Sequence, residues 1–87
     1  MREKPSLSGR QAPAVERRDM RNALAGLRSL VERDPLGRVA FDPAWIAKEG
    51  GIPEGLTQWP RTVYALMALV AAGKVARVDG TGDWRLC

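Results

Sequence analysis

Side chains that could carry out catalysis are scarce in this sequence. The 87 residues include no histidine and a single cysteine, Cys87, at the last position. The glycines of residues 80–82 are expected in a hairpin loop, not between a strand and a helix, and the neighbouring Asp79 and Asp83 are expected in solvent. We therefore expect no enzymatic activity, no metal site and no cofactor. The chemistry that remains is that of arginine and lysine, which pair with phosphates or carboxylates.

Positive charge is concentrated in the first part of the chain. The net charge is +4, and residues 1–38 carry nine basic and five acidic side chains, whereas residues 39–87 carry five of each. Phosphate neutralisation supplies most non-specific affinity for nucleic acid, so such attraction must come largely from the first part. Apolar residues make up 45% of the chain, which is ordinary for one globular domain. The longest apolar run is too short to cross a bilayer, and we expect a cytoplasmic protein with no membrane contact.

Two regions are expected in the chain. Residues 1–14 lack periodic apolar positions, which predicts a flexible N-terminal arm, and residues 15–87 form the domain. Apolar side chains at three- and four-residue spacings predict an amphipathic helix over residues 15–33. A stripe beside its apolar face carries three side chains that either contact phosphates or are solvated: Arg17, Arg21 and Arg28.

A second, shorter helix is predicted after an extended segment at residues 38–41. Asp42 is a good N-cap, and proline is favoured at the next position, the first of the helix. The helix should run to about Glu49, where residues 50–51 are both glycine and permit a tight turn.

A third helix is predicted over residues 57–72, followed by a β-hairpin over residues 74–87. We expect the third helix to bury its larger apolar side chains, namely Trp59, Val63, Leu66, Met67 and Val70. The opposite face then carries a polar start and small residues, namely Gln58, Arg61, Ala65, Ala68 and Ala72. Packing is also preferred over base stacking for the three tryptophans, Trp45, Trp59 and Trp84.

The order of these elements resembles that of the winged helix-turn-helix fold. Residues 46–52 resemble the second helix and turn of helix-turn-helix proteins, with a small residue at Ala47 and a glycine four residues later at Gly51. Residues 61–75 look like the recognition helix and first wing strand of bacterial winged-helix regulators. The resemblance implies an α+β fold of three helices with a small antiparallel β-sheet and a C-terminal hairpin wing.

This resemblance implies binding of double-stranded DNA, with the third helix in the major groove and the wing at the backbone. The side chains expected at base edges are Gln58, Arg61, Thr62 and Ala65. Arg61 is the strongest candidate, because a guanidinium can pair with two acceptors of guanine. The side chains expected at phosphates are Tyr64, Lys48, Arg77, Arg85, Arg17 and Arg21.

Two functional hypotheses follow. The first is a sequence-specific transcriptional regulator of a bacterium, phage or plasmid. The second is a winged-helix module that binds a protein, such as a small inhibitor of a host complex, since the C-terminal half is neutral and the alanines at 65, 68 and 72 would let another helix approach closely. A homodimer formed through the first helix and the arm is also considered.

Overall fold

The computed structural model describes residues 15–87, and the arm predicted over residues 1–14 lies outside that part of the chain. Within it, three helices and a three-stranded antiparallel sheet form a small α+β fold. The elements are α1 (Arg17–Arg33), β1 (Ala40–Phe41), α2 (Pro43–Gly50), α3 (Gln58–Ala71), β2 (Val75–Val78) and β3 (Asp83–Leu86). The predicted order of elements is therefore confirmed, with bounds that differ by one or two residues.

Helix α1 ends where the sequence predicts. Asp34 takes an extended conformation, because the proline that follows it disfavours helical geometry. Its carboxylate then accepts hydrogen bonds from the backbone N–H of Arg38, at 2.7 Å, and from the guanidinium of the same residue. These bonds close the turn that leads the chain into β1, and they hold the pKa of Asp34 below its usual value.

Both ends of α2 also follow the predicted signals. The Asp42 carboxylate accepts a hydrogen bond of 2.9 Å from the backbone N–H of Trp45, and Pro43 occupies the first turn. Gly51 ends the helix with φ of 78°, and its N–H donates to the carbonyl of Ala47. The left-handed conformation is readily adopted only by glycine, so this residue sets the direction in which the chain leaves α2.

The sheet has β3 in the centre, with β1 and β2 on either side. In register, Phe41 of β1 lies opposite Trp84 of β3, which lies opposite Arg77 of β2. Residues paired in this way share a face of the sheet. Trp84 and Phe41 are buried, so their row faces the helices.

One core joins the helices to this inner face. It consists of buried side chains from every element and one from the α2–α3 connection: Ala23, Leu27, Phe41, Ile46, Ala47, Ile52, Ala65, Leu66, Leu69, Val75 and Trp84. Where α1 crosses α2, Gly26 and Gly50 bring the two backbones into direct contact. A Cβ atom at Gly26 would lie 2.6 Å from the carbonyl oxygen of Ile46, so the crossing requires glycine there.

The orientation of α3 about its own axis differs from the predicted one. Its buried residues are Thr62, Ala65, Leu66 and Leu69, at the spacings of one helix face. The prediction placed the larger apolar side chains in the core, which is right for Leu66 and wrong for Trp59, Met67 and Val70. Thr62 can be buried because its hydroxyl donates a hydrogen bond of 2.7 Å to the carbonyl of Gln58.

The tryptophans divide in the same way. Trp84 is buried as expected, but Trp45 and Trp59 are 56% and 62% exposed, so the packing roles predicted for these two are wrong. Both lie on helices whose core-facing positions are filled by smaller side chains, Ile46 in α2 and Leu66 in α3.

Candidate functional site: an apolar stripe on the third helix

A row of apolar side chains lies partly exposed along α3. We call the row formed by Trp59, Val63, Met67 and Val70 the α3 stripe. Trp59, Met67 and Val70 are 62%, 49% and 40% exposed, and Val63 is half-buried. At 3.6 residues per turn the four positions fall within an arc of about 80°, and they extend for about 16 Å along the axis. The stripe is thus a continuous apolar ridge at the edge of the core.

Helix α3 is also almost without charge. Arg61 is the only charged residue among the 14 residues of α3. Its side chain is turned towards α1. There its Nε and Nη2 donate to the two carboxylate oxygens of Asp19, at 3.0 and 2.8 Å. The Asp19 side chain is only 7% exposed and that of Arg61 28%. Hydrogen bonds from Arg61 lower the pKa of Asp19, and those same bonds raise the pKa of Arg61.

This ion pair changes the role expected for Arg61. A guanidinium reads guanine through the same planar pair of donors that is here engaged by a carboxylate. Arg61 therefore links α3 to α1 instead of projecting freely from the helix. The signal in the sequence was an acidic residue at position 19, on the buried side of the predicted first helix, which has to be paired.

The other side chains predicted at base edges are also turned inward or engaged. Thr62 and Ala65 are completely buried, so in this conformation neither side chain is accessible to a groove of DNA. The Gln58 side-chain amide donates a hydrogen bond of 2.9 Å to the carbonyl of Ile52, which fixes the start of α3 to the preceding connection. Tyr64 is half-buried on the flank of the helix. The small-residue face considered for protein contact is likewise broken, because Ala65 is inside.

The basic residues predicted at phosphates are exposed, but they are dispersed over the domain. Lys48 lies on α2, and Arg77 and Arg85 lie on neighbouring strands. Arg77 is paired with Trp84 and its guanidinium lies 5.4 Å from the centre of that ring, on the inner face of the sheet. Arg85 is paired with Ala76, so its side chain leaves from the opposite face. The two arginines of the β2–β3 hairpin consequently lie on different faces of the sheet.

Three arginines that the sequence predicts on one stripe of the first helix lie together on the exposed side of α1. Arg17, Arg21 and Arg28 are all exposed, within an arc of about 40° on the side away from the buried Ala23 and Leu27. Among residues 15–87, no carboxylate forms an ion pair with any of the three. We call these three residues the α1 arginine row.

A cleft of about 350 Å³ lies between the end of α1 and the start of α2. Trp45, Phe41 and Leu30 form apolar parts of its lining. Its two arginines are engaged, Arg33 with Glu49 and Arg38 with Asp34. The cleft therefore has an aromatic wall. Because carboxylates already neutralise its two arginines, it offers little positive charge to attract an anion.

Comparison with known proteins gives no relative to guide the assignment: no protein family, curated protein or solved structure matches this chain. Within residues 15–87, no helix has both the length and the apolar character needed to cross a membrane. The same residues contain no cluster of three or more acidic, cysteine or histidine side chains arranged to hold a metal ion.

Proposed function

We propose that this domain is a non-catalytic interaction module that binds protein through the α3 stripe. The observation that carries the proposal is the exposure of Trp59, Met67 and Val70 in one row on a helix whose only charge is neutralised by Asp19. Contiguous exposed apolar surface of this kind is typical of protein interfaces.

The residue types in the stripe also favour protein as the partner. Aromatic residues and methionine are enriched at interface centres, where charged residues are depleted. A groove of DNA instead requires hydrogen-bond donors and acceptors, and cations for its phosphates. Of the four side chains expected at base edges, Thr62 and Ala65 are buried and Arg61 and Gln58 are hydrogen-bonded within the domain.

We further propose that the fold is a winged helix-turn-helix in which the third helix serves protein recognition. The element order and the sheet order β1-β3-β2, with a hairpin after α3, support this assignment. Fold does not fix function, so a helix that enters DNA in one protein can contact protein in another.

The proposal is tested by photo-crosslinking in cells that express the protein. A benzophenone amino acid replaces Trp59 in one variant and Trp45 in the control, since the two tryptophans are similarly exposed, at 62% and 56%, and lie on different helices. We expect protein adducts from position 59 and few from position 45. Adding Met67→Glu should remove the adducts from position 59, because it places a charge in the middle of the stripe.

Equal adducts from the two positions, or adducts at 59 that persist with Met67→Glu, would contradict the proposal. Circular dichroism of the Met67→Glu protein is the folding control. Met67 is half exposed, so its native secondary structure should be retained.

Binding of duplex DNA through the α1 arginine row is a second candidate, favoured by the exposure of three arginines on one side of α1. Three phosphate contacts give a slope of about −2.7 for the logarithm of affinity against that of salt concentration. Fluorescence anisotropy with a labelled duplex measures the slope. Replacing all three arginines by glutamine should abolish binding, whereas Arg85→Gln should change it little. Binding that survives the triple replacement would refute this mode.

A further inference from the structure

We infer that the occupant of the α3 stripe is a second copy of this chain, with the two α3 helices packed antiparallel about a two-fold axis. This inference rests on the proposed function, because it names the partner of that same surface. Two features support it: the pattern of side-chain sizes along the stripe and the absence of free charge on it. The area that the stripe offers then limits the strength of the pairing.

The side-chain sizes along the stripe are complementary to those of a second stripe that runs in the opposite direction. In an antiparallel pair whose axis passes near the middle of the helix, Trp59 of one copy faces Val70 of the other. Val63 of one copy likewise faces Met67 of the other. Each facing pair combines a large side chain with a small one, which fills the space between helices without overlap. A parallel pair would instead place Trp59 against Trp59 and leave valine against valine.

The distribution of charge favours the α3 stripe over charged surfaces of the domain as the place where two copies meet. The chain carries a net charge of +4, so two copies repel each other, and a contact through an uncharged surface adds the least to that repulsion. The α3 stripe contains no ionisable side chain, and the nearest cation on the helix, Arg61, is paired with Asp19. Two stripes can therefore meet without burying a like charge. An acidic partner would gain no attraction from the stripe itself.

The available area predicts a weak dimer. Trp59 is 62% exposed, and a fully buried aromatic side chain covers about 150–250 Å², so this residue offers roughly 90–150 Å². With the other three residues, each copy offers on the order of 300–400 Å² of apolar surface, below the ~800 Å² per partner of a standard stable interface. We expect a dissociation constant between about 10 µM and 1 mM, and hence a dimer that forms reversibly.

Sedimentation equilibrium of the full chain tests the inference. The apparent mass should rise from monomer towards dimer as the concentration passes through this range. Met67→Glu should raise the dissociation constant at least tenfold, whereas Val39→Glu, at a 58% exposed position outside α3, should leave it unchanged. A protein that stays monomeric at about 1 mM overturns the inference, as does a dimer that Met67→Glu does not weaken.

Disulfide trapping tests the orientation. In a Cys87→Ser background, Val63→Cys and Met67→Cys proteins are oxidised separately and as a mixture. The antiparallel pair predicts that the mixed disulfide forms fastest, because those two positions face each other across the interface. Self-linked products that form faster than the mixed one would overturn the antiparallel arrangement.

The two proposals fail in different ways. A monomer in sedimentation whose Trp59 crosslinker captures a different protein rules out the second copy and leaves the protein-binding role. A monomer with no adduct at position 59 rules out both. An adduct with the mass of two chains supports both.

Discussion

The crossing of α1 and α2 provides the sharpest test of the fold, through the replacement Gly26→Ala. Alanine is a better helix former than glycine by about 1 kcal/mol, so in an isolated α1 this change would stabilise the helix. In the folded domain the new Cβ would lie 2.6 Å from the carbonyl oxygen of Ile46 and 2.8 and 2.9 Å from backbone atoms of Gly50. All three are backbone atoms, which cannot rotate away as a side chain would.

The structure therefore predicts the opposite sign from helix propensity. An ordinary contact needs about 3.5 Å, so the two helices must separate by roughly 0.5–1 Å and lose part of their packing. Overpacking of this kind costs typically about 1–3 kcal/mol, and we expect Gly26→Ala to destabilise the domain by about 1–2 kcal/mol after the gain in propensity. For a domain of this size, that lowers the melting temperature by about 4–16 °C.

Thermal and urea unfolding followed by far-ultraviolet circular dichroism measures the effect. Ala25→Gly is the matched control, since Ala25 is the exposed neighbour in α1 and should lose only the propensity term of about 1 kcal/mol. Gly50→Ala should also destabilise, and the double replacement with Gly26→Ala should cost less than the sum, because helices already separated by one Cβ accommodate the second. A Gly26→Ala protein more stable than the unmodified chain would refute the close crossing.

Three further predictions concern α3 and its supports. Leu66→Ala, at a completely buried position, should cost about 2–5 kcal/mol, whereas Met67→Ala, at a position 49% exposed, should cost less than about 1 kcal/mol; equal losses in urea unfolding would contradict the observed rotation of α3. Because its pKa is lowered, the Asp19 carboxylate stabilises the folded state at pH values above the ordinary carboxyl pKa, and this contribution is lost as the pH falls below about 4. Asp19→Asn should therefore flatten that part of the profile of stability against pH. An unchanged profile would exclude the pair with Arg61 as the source of the pH dependence. Gly51→Ala should destabilise by about 1–2 kcal/mol because φ there is 78°, and a neutral result in thermal unfolding would mean that the turn adjusts.

Local signals in the sequence were sufficient to predict where the elements begin and end. Asp42 before a proline starts α2, and Gly51 ends it, since capping depends on residues that adjoin each other in the chain. The alternation of the last residues likewise predicted the hairpin. Its pairing with β1 was not specified, because two residues, Ala40 and Phe41, are too short a pattern to identify a strand partner.

The face that α3 buries could not be predicted in the same way. Two rows lie side by side on this helix: the exposed α3 stripe and the buried row that contains Leu66. Side-chain size favoured the row with Trp59 and Met67, whereas the structure buries the row with Thr62 and Leu69. The choice depends on partners distant in sequence: the pair of Asp19 with Arg61 fixes one side of α3 against α1. Local periodicity does not contain that information.

Both apolar rows of α3 are explained if the buried row packs against the core and the α3 stripe packs against a second chain. A helix with one apolar row needs only a core, whereas a helix with two must cover the second or leave it in water at a cost of about 25 cal/mol per Å². The α1 arginine row and the α3 stripe lie on different helices and share no residue, so a dimer formed through α3 would carry two arginine rows. If DNA binding by the arginine row accompanies dimerisation, the salt slope should steepen from about −2.7 for a monomer towards −5.4, roughly twice as steep, at protein concentrations where the dimer forms. Anisotropy measured with the Met67→Glu protein should then retain the shallower slope. Equal slopes for the unmodified chain and Met67→Glu would show that DNA binding by the arginine row does not depend on pairing through the α3 stripe.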